Sequence, residues 1–137
     1  MKIVVVDGQG GGIGRLIVEK LRAALPKAQI IAVGTNALST SAMLRAGATA
    51  GATGENAVCH NCRTADMIAG PTGILLPNAI LGEITPAMAL AVGESPAQKL
   101  LIPLETCSLH VMGVREQSLE AAAAELAARA AQMARNE

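Results

Sequence analysis

Five of the seven residues from Gly8 to Gly14 are glycine, in the run Asp7-Gly8-Gln9-Gly10-Gly11-Gly12-Ile13-Gly14. A loop with so few side chains exposes its backbone N–H groups, and these suit an anion such as a phosphate group, above all where a helix N-terminus adds further free donors. Glycine is required because a Cβ would block the ligand's approach or forbid the positive φ angles of the loop. Asp7 beside it is ambiguous. A carboxylate repels an anion unless it is protonated, bridged by a cation or aimed at a hydroxyl. Alternatively it accepts hydrogen bonds from the loop's own N–H groups.

A second constellation is Cys59-His60-Asn61-Cys62, followed later by Cys107 and His110. Three thiols and an imidazole are a tetrahedral zinc donor set. On a helix Cys59 and Cys62 share a face, but Cys107 and His110 point oppositely if both lie in one strand. A core role for the cysteines is the favoured reading, and no metal is expected; a metal or redox role is the lesser alternative. Asn36, Asn78 and Glu83 lie in loops near the expected sheet edge, with turn chemistry as their ordinary role, and His60 is expected as an exposed helix residue. Asp7, Glu83 or His60 would have to supply the chemistry of an enzyme, since no nucleophile–base pair is legible.

The elements that must position these groups follow from apolar periodicity. Ile3 to Val6 is a continuous β-branched run, as in a parallel strand covered on both faces. From Ile13 the period becomes helical, with Ile13, Ile17 and Leu21 on one face, and Pro26 ends the helix. Gln29 to Val33 reads as a second strand ending at Gly34, Thr35 and Asn36. In a dinucleotide fold an acid at this strand end binds the ribose 2′-hydroxyl. Here Thr35 or Asn36 stands instead: either the ligand carries a 2′-phosphate, for which Asn36, Ser39 and Thr40 are suitable neutral donors, or it is not a dinucleotide, or Thr35 and Asn36 simply cap the helix that follows. Ala46 to Gly54 offers a short third strand, with Thr53 as cap of a helix running to Arg63.

Ala65 to Pro71 is a further strand, whose Gly70-Pro71-Thr72-Gly73 end would complete a site begun by the first loop. Thr85-Pro86 starts a helix in the manner of an N-cap followed by proline. Lys99 to Leu104 and Ser108 to Val114 read as the last strands. Ser118 caps a long alanine-rich helix in which Leu119, Leu126 and Met133 recur every seven residues and Glu125 faces Arg129 one turn on. That helix packs on the sheet or joins two subunits. The expected architecture is α/β: one three-layer domain over residues 1–137, with a mostly parallel sheet of five or six strands and a long C-terminal helix.

Composition narrows the partners. The 137 residues are 51% hydrophobic yet contain no Phe, Tyr or Trp, so no ring can stack on a nucleic-acid base. Eleven basic and eleven acidic residues balance without a basic cluster, which argues against nucleic acid or anionic membrane. An odd number of cysteines and no signal-like or membrane-length apolar run lead to a cytoplasmic expectation.

Several stretches resemble known families. GQGGGIG is similar to the cofactor loop of short-chain dehydrogenases, though their catalytic tyrosine has no counterpart here. GGGIGRL resembles the phosphate loop of nucleotide triphosphatases, with Arg15 in place of the lysine and Leu16 in place of the Mg²⁺-binding hydroxyl, so ATP hydrolysis is not implied. DGQGGGIG, GTNALSTSAMLRAGA, GATGENA and GEITPAMA together resemble a family of short bacterial Rossmann-like proteins known only as a domain of unknown function. ADMIAGPTGILLPN and the segment after it are similar to the phospholactate-transferase and gluconeogenesis-factor family, whose members bind nucleotides, nucleotide sugars or a deazaflavin.

The sequence therefore points to a nucleotide-binding protein. Its expected site comprises Gly8, Gln9, Gly10, Gly11, Gly12, Ile13, Gly14, Thr35, Asn36, Gly70, Pro71, Thr72 and Gly73. NADP(H) is the first expected ligand and a nucleotide sugar the second. The competing reading is a non-enzymatic sensor or accessory subunit, acting through a homodimer or a partner protein.

Overall fold

The computed structural model describes residues 1–104 and 108–136. Five parallel strands form one sheet: β1 (Lys2–Asp7), β2 (Gln29–Gly34), β3 (Ala50–Thr53), β4 (Met67–Pro71) and β5 (Gln98–Ile102). Their spatial order is β3-β2-β1-β4-β5, so the chain reverses direction of travel beside β1. In register, Ile3 lies opposite Ile30 on one side and Met67 on the other. The helices are α1 (Gly12–Ala24), α2 (Ala37–Arg45), α3 (Glu55–Cys62), α4 (Pro86–Glu94) and α5 (Leu119–Arg135), with a 3-10 turn at Thr72–Leu75.

Strand periodicity divides the core in two. Ile3 and Val5 face a layer that holds Ile17, Leu21, Met43, Ala123 and Leu126, from α1, α2 and α5. Val4 and Val6 face the opposite layer, with Val58, Met88 and Val92 from α3 and α4. This is the three-layer Rossmann-like arrangement expected. With no aromatic rings to fill space, close approach of elements substitutes for bulk, and alanines 122, 123, 127 and 130 let α5 lie against α1.

Most caps fall where the sequence places them. Asn36 accepts from Ser39 N–H, Thr85 from Met88 N–H, and Ser118 from Ala121 N–H. The cap of α3 is Gly54, while Thr53 ends β3 and its hydroxyl meets that of Thr40 at 2.8 Å. Arg22 ties α1 to the loops before β2 and β3, donating to the carbonyls of Pro26, Ala28 and Gly47 and to the Thr49 hydroxyl.

Two expectations fail near the C-terminus. Ser108 to Val114 forms no strand; its side chains lie largely exposed, with no covering layer to bury an alternating face. Glu125 pairs with Arg115 at 2.9 Å rather than with Arg129, which donates to Gln132. The seven-residue stripe also splits, since Leu126 is buried against the chain's own core and Leu119 is exposed. No described helix is long and apolar enough to cross a membrane.

Candidate functional site

In an open α/β sheet, ligands bind at the carboxyl ends of the strands where the strand order reverses. Here that place is the gap between β1 and β4. A cleft of about 400 Å³ opens there, lined by Asp7, Gly8, Gln9, Ile13, Pro71, Gly73, Ile80, Leu81 and Leu104. The first glycine loop and the Pro71–Gly73 turn therefore do meet, from elements about sixty residues apart in the chain.

Within the glycine loop the residues divide by role. Gly8 N–H donates to Asp7 Oδ1 at 2.8 Å and Gly14 N–H to Oδ2 at 2.7 Å, so the loop is folded onto its own carboxylate. Gly11 caps α1 in a left-handed conformation (φ 73°), and a Cβ there would come within 2.9 Å of the Ser39 backbone. A Cβ on Gly14 would meet Asp7 Cβ at 2.9 Å. Gly10 and Gly12 differ: a Cβ on either meets nothing within 4 Å. Their N–H groups have no acceptor among the described residues, and they sit at the N-terminus of α1. Two open amides at a helix start are what an incoming oxyanion requires.

Asp7 is buried at the cleft's floor. Burial pushes its carboxyl above the ordinary value of 3.8, the N–H groups of Gly14 and Gly8 pull it back, and the charge of Glu83 raises it again. Of the two readings of Asp7, the self-capping one describes the geometry.

A strap over residues 77–84 crosses the top of β1 and decides the site's character. Asn78, Ile80, Leu81 and Gly82 all have positive φ (66°, 55°, 53° and 89°). For a β-branched isoleucine and a leucine this costs on the order of 1–2 kcal/mol each, and such outliers gather at functional segments. Short internal bonds hold it: Asn78 N–H to the Ile84 carbonyl at 2.7 Å and Ile84 N–H to Ala79 at 3.1 Å. Leu81 is 93% exposed although it borders the cleft. At the strap's end, Glu83 Oε1 accepts from the Thr35 hydroxyl, from Gln9 N–H at 2.9 Å and from Asn36 Nδ2 at 3.1 Å. The Thr35 bond, then Gln9 N–H, hold this carboxyl below its ordinary value of 4.5, so it is ionised at neutral pH.

Sequence reasoning placed Glu83 in a loop near the sheet edge but gave it no partner, and it missed Ile80 and Leu81. The available signal was an apolar Ile-Leu pair set between Asn78 and Gly82, where a surface turn has no use for one. Of the second loop, Pro71 and Gly73 line the cleft. Gly70 is internal to β4, where a Cβ would run into the Val6 carbonyl, and the Thr72 hydroxyl accepts from Leu104 N–H at 3.2 Å. His60 is exposed on α3 and does not border the cleft. Cys62 is buried and its thiol is pushed up to about 11, mainly by burial, so it stays protonated. Cys59 donates weakly to the Ala87 carbonyl at 3.7 Å. Among the described residues no three His, Cys, Asp or Glu side chains form a metal-sized group; Cys107 lies outside the described residues.

A family model described as Domain of unknown function (DUF3842) matches residues 2–135. The chain belongs to that family. No functionally curated protein matches it in sequence. Among solved structures it is similar to a dodecameric FMN-dependent Ubix-like decarboxylase from Escherichia coli O157:H7, with TM-score 0.52 and 13% identity over 97% of this chain and 94% of that one. At that identity the likeness concerns the fold.

The NADP(H) expectation is overturned. The solved protein of similar fold is FMN-dependent. Locally, of the donors expected to take a 2′-phosphate, Asn36 is already engaged by the ionised Glu83 carboxylate, which would repel that group, and the buried Ser39 and Thr40 hydroxyls donate to the Asn36 carbonyl. The expectation failed because Glu83 is 47 residues beyond Asn36 and only the strap brings it back.

Proposed function

We propose that residues 1–137 form a single ligand-binding domain that holds a phosphorylated flavin, with FMN as the first candidate. The ligand's phosphate sits on the open amides of Gly10 and Gly12, and its ring lies in the cleft against Ile13, Pro71, Ile80 and Leu81. The observation that carries this reading is the pair of unclaimed N–H groups at the α1 N-terminus beside an apolar cleft at the switch point. The FMN dependence of the similar solved protein supports the choice of ring. The cleft supplies no aromatic stack, so aliphatic side chains would cover the ring by area alone.

The test is thermal stability with FMN, riboflavin, a UDP-sugar and inorganic phosphate. A ligand present at 100 times its Kd stabilises by about 2.7 kcal/mol, roughly a ten-degree shift for a chain of this size. FMN should shift the melting temperature more than riboflavin, which has the ring but no phosphate. A larger shift with the UDP-sugar would replace the flavin; no shift with any probe would remove the site.

A second reading, a sensor or accessory subunit acting through self-association or a partner, is favoured by exposed apolar side chains along one stretch of the chain, Val111, Met112, Val114 and Leu119, three of which, Val111, Val114 and Leu119, line one groove. Leu126 cannot probe it, because a charge there would break the core. Met112→Glu should lower the mass found by light scattering; an unchanged mass would discard this surface as the contact.

A further inference from the structure

We propose that Cys59 and Cys62 form a reversible disulfide by exchange with a low-molecular-weight disulfide of an amino-acid or small-peptide thiol, which makes the cleft between α3 and α4 a redox modification site. That cleft, of about 400 Å³, is lined in part by Cys59, Cys62, Arg63, Leu90, Glu94 and Pro96, and it shares no residue with the cleft between β1 and β4.

Both cysteines are free and stand three residues apart on α3, with Cys62 as its last residue. Helix geometry sets such Cα atoms about 5 Å apart, inside the range that a disulfide spans. The Cβ atoms of a regular α-turn are slightly too distant, and tightening to a 3-10 turn, which eclipses residues i and i+3, closes that gap. The end of α3 already turns this way: Thr64 N–H donates to the Asn61 carbonyl, three residues back, at 3.4 Å. The Cys62 carbonyl accepts from the Ser95 hydroxyl at 2.6 Å, so this last turn stays docked on the end of α4. The sulfurs are near enough that charge on Cys59 disfavours charge on Cys62.

Exposure assigns the roles. Cys59 is half-buried, whereas Cys62 is 1% exposed. Cys59, having given its proton to water, therefore attacks one sulfur of the incoming disulfide; the S–S bond breaks, one small thiolate leaves and takes a proton from water, and a mixed disulfide remains on Cys59. Cys62 then loses its proton to water and attacks Cys59 Sγ, expelling the second small thiolate, which is protonated in turn. Both protein thiols are oxidised to one disulfide, and the small disulfide is reduced to its thiols. Burial holds Cys62 protonated at neutral pH, so the second step is the slower one. Arg63 and Glu94 offer a zwitterionic thiol one charge for each of its ends.

Glutathione disulfide is the probe, applied to the full chain carrying Cys107→Ser so that only this pair reports, with intact mass and alkylation as readouts. Exposure should give a product that carries no glutathione and has lost both alkylatable thiols, and dithiothreitol should restore them. Cys62→Ala should stop with one glutathione attached, since no second thiol remains to displace it. Cys59→Ala, a change at a half-buried position that leaves the core intact if the Cys62 variant melts early, should stay unmodified for the same exposure. A parent chain that retains both thiols, or that halts with glutathione attached, overturns the proposal. So does a Cys59→Ala chain modified as fast as the parent. None of these outcomes depends on FMN or on the glycine loop.

Discussion

The two glycine-bearing strand ends, Gly8 to Gly14 after β1 and Gly70 to Gly73 after β4, look alike in sequence and are used differently. In the first, Gly10 and Gly12 face open space with free amides. In the second, Gly70 exists so that β4 can lie against the Val6 carbonyl of β1, and Thr72 is bound to Leu104. Glycine permits close approach in both cases. What approaches is the protein itself at β4 and, in the proposed function, a ligand at β1.

The contrast can be broken by substitution, and the largest effect is expected at Gly70. Gly70→Ala places a methyl against a backbone carbonyl in the centre of the sheet. Overpacking of this kind costs about 3 kcal/mol, near the upper end of its usual range, because a strand cannot yield as a side chain can. Thermal melting should drop by roughly ten degrees. A drop of a degree or less would mean that the strands adjust and that Gly70 is not a packing glycine.

Gly12→Glu should act in the opposite sense. It replaces a helical glycine and puts a negative charge at the N-terminus of α1, each worth up to about 1 kcal/mol in favour of the helix. Melting temperature should hold or rise by a few degrees, while FMN-dependent stabilisation disappears. Retained stabilisation by FMN would show that the phosphate does not use this loop.

The smallest effect expected is on pH dependence. Asp7 has a folded-state carboxyl raised above its unfolded value, so its contribution is fully present below about pH 3.9 and lost as pH rises through the folded value. Glu83 is lowered, so its contribution is present above about pH 4.3 and lost as pH falls through its folded value. Asp7→Asn should flatten the stability curve in the range just above about pH 3.9. Glu83→Gln should flatten the acid limb below that. If either variant runs parallel to the wild type across its window, that carboxyl is not perturbed in the direction given.

Much of the fold was legible because it rests on short-range pattern. The β-branched run Ile3 to Val6, the switch to helical period at Ile13, the Thr85-Pro86 start and the Ser118 cap each act within a few residues. The candidate site was legible in half. Gly8, Gln9, Ile13, Pro71 and Gly73 could be chosen as the residues at the ends of two strands that the fold must bring together. Ile80 and Leu81 left only the trace of an apolar pair between Asn78 and Gly82, and their left-handed backbone contradicts their local preference. The Ser108 to Val114 strand was misread for the converse reason: its alternation is local, but a strand forms only where a sheet edge and a covering layer accept it.

By itself the sequence determined the α/β class, the strand and helix periods, the caps and the existence of an open glycine loop, because each follows from side-chain volume and backbone freedom over a turn or two. Only the tertiary structure decided which glycines face open space, that Asp7 is committed to the loop's own amides, and that Glu83 is held at the end of β2. Those outcomes depend on where the 77–84 strap crosses β1. That crossing is fixed by burial of Ala79 and Ile84 in the layer of α3 and α4 and by three hydrogen bonds between residues dozens of positions apart, none of which leaves a periodic trace in the chain.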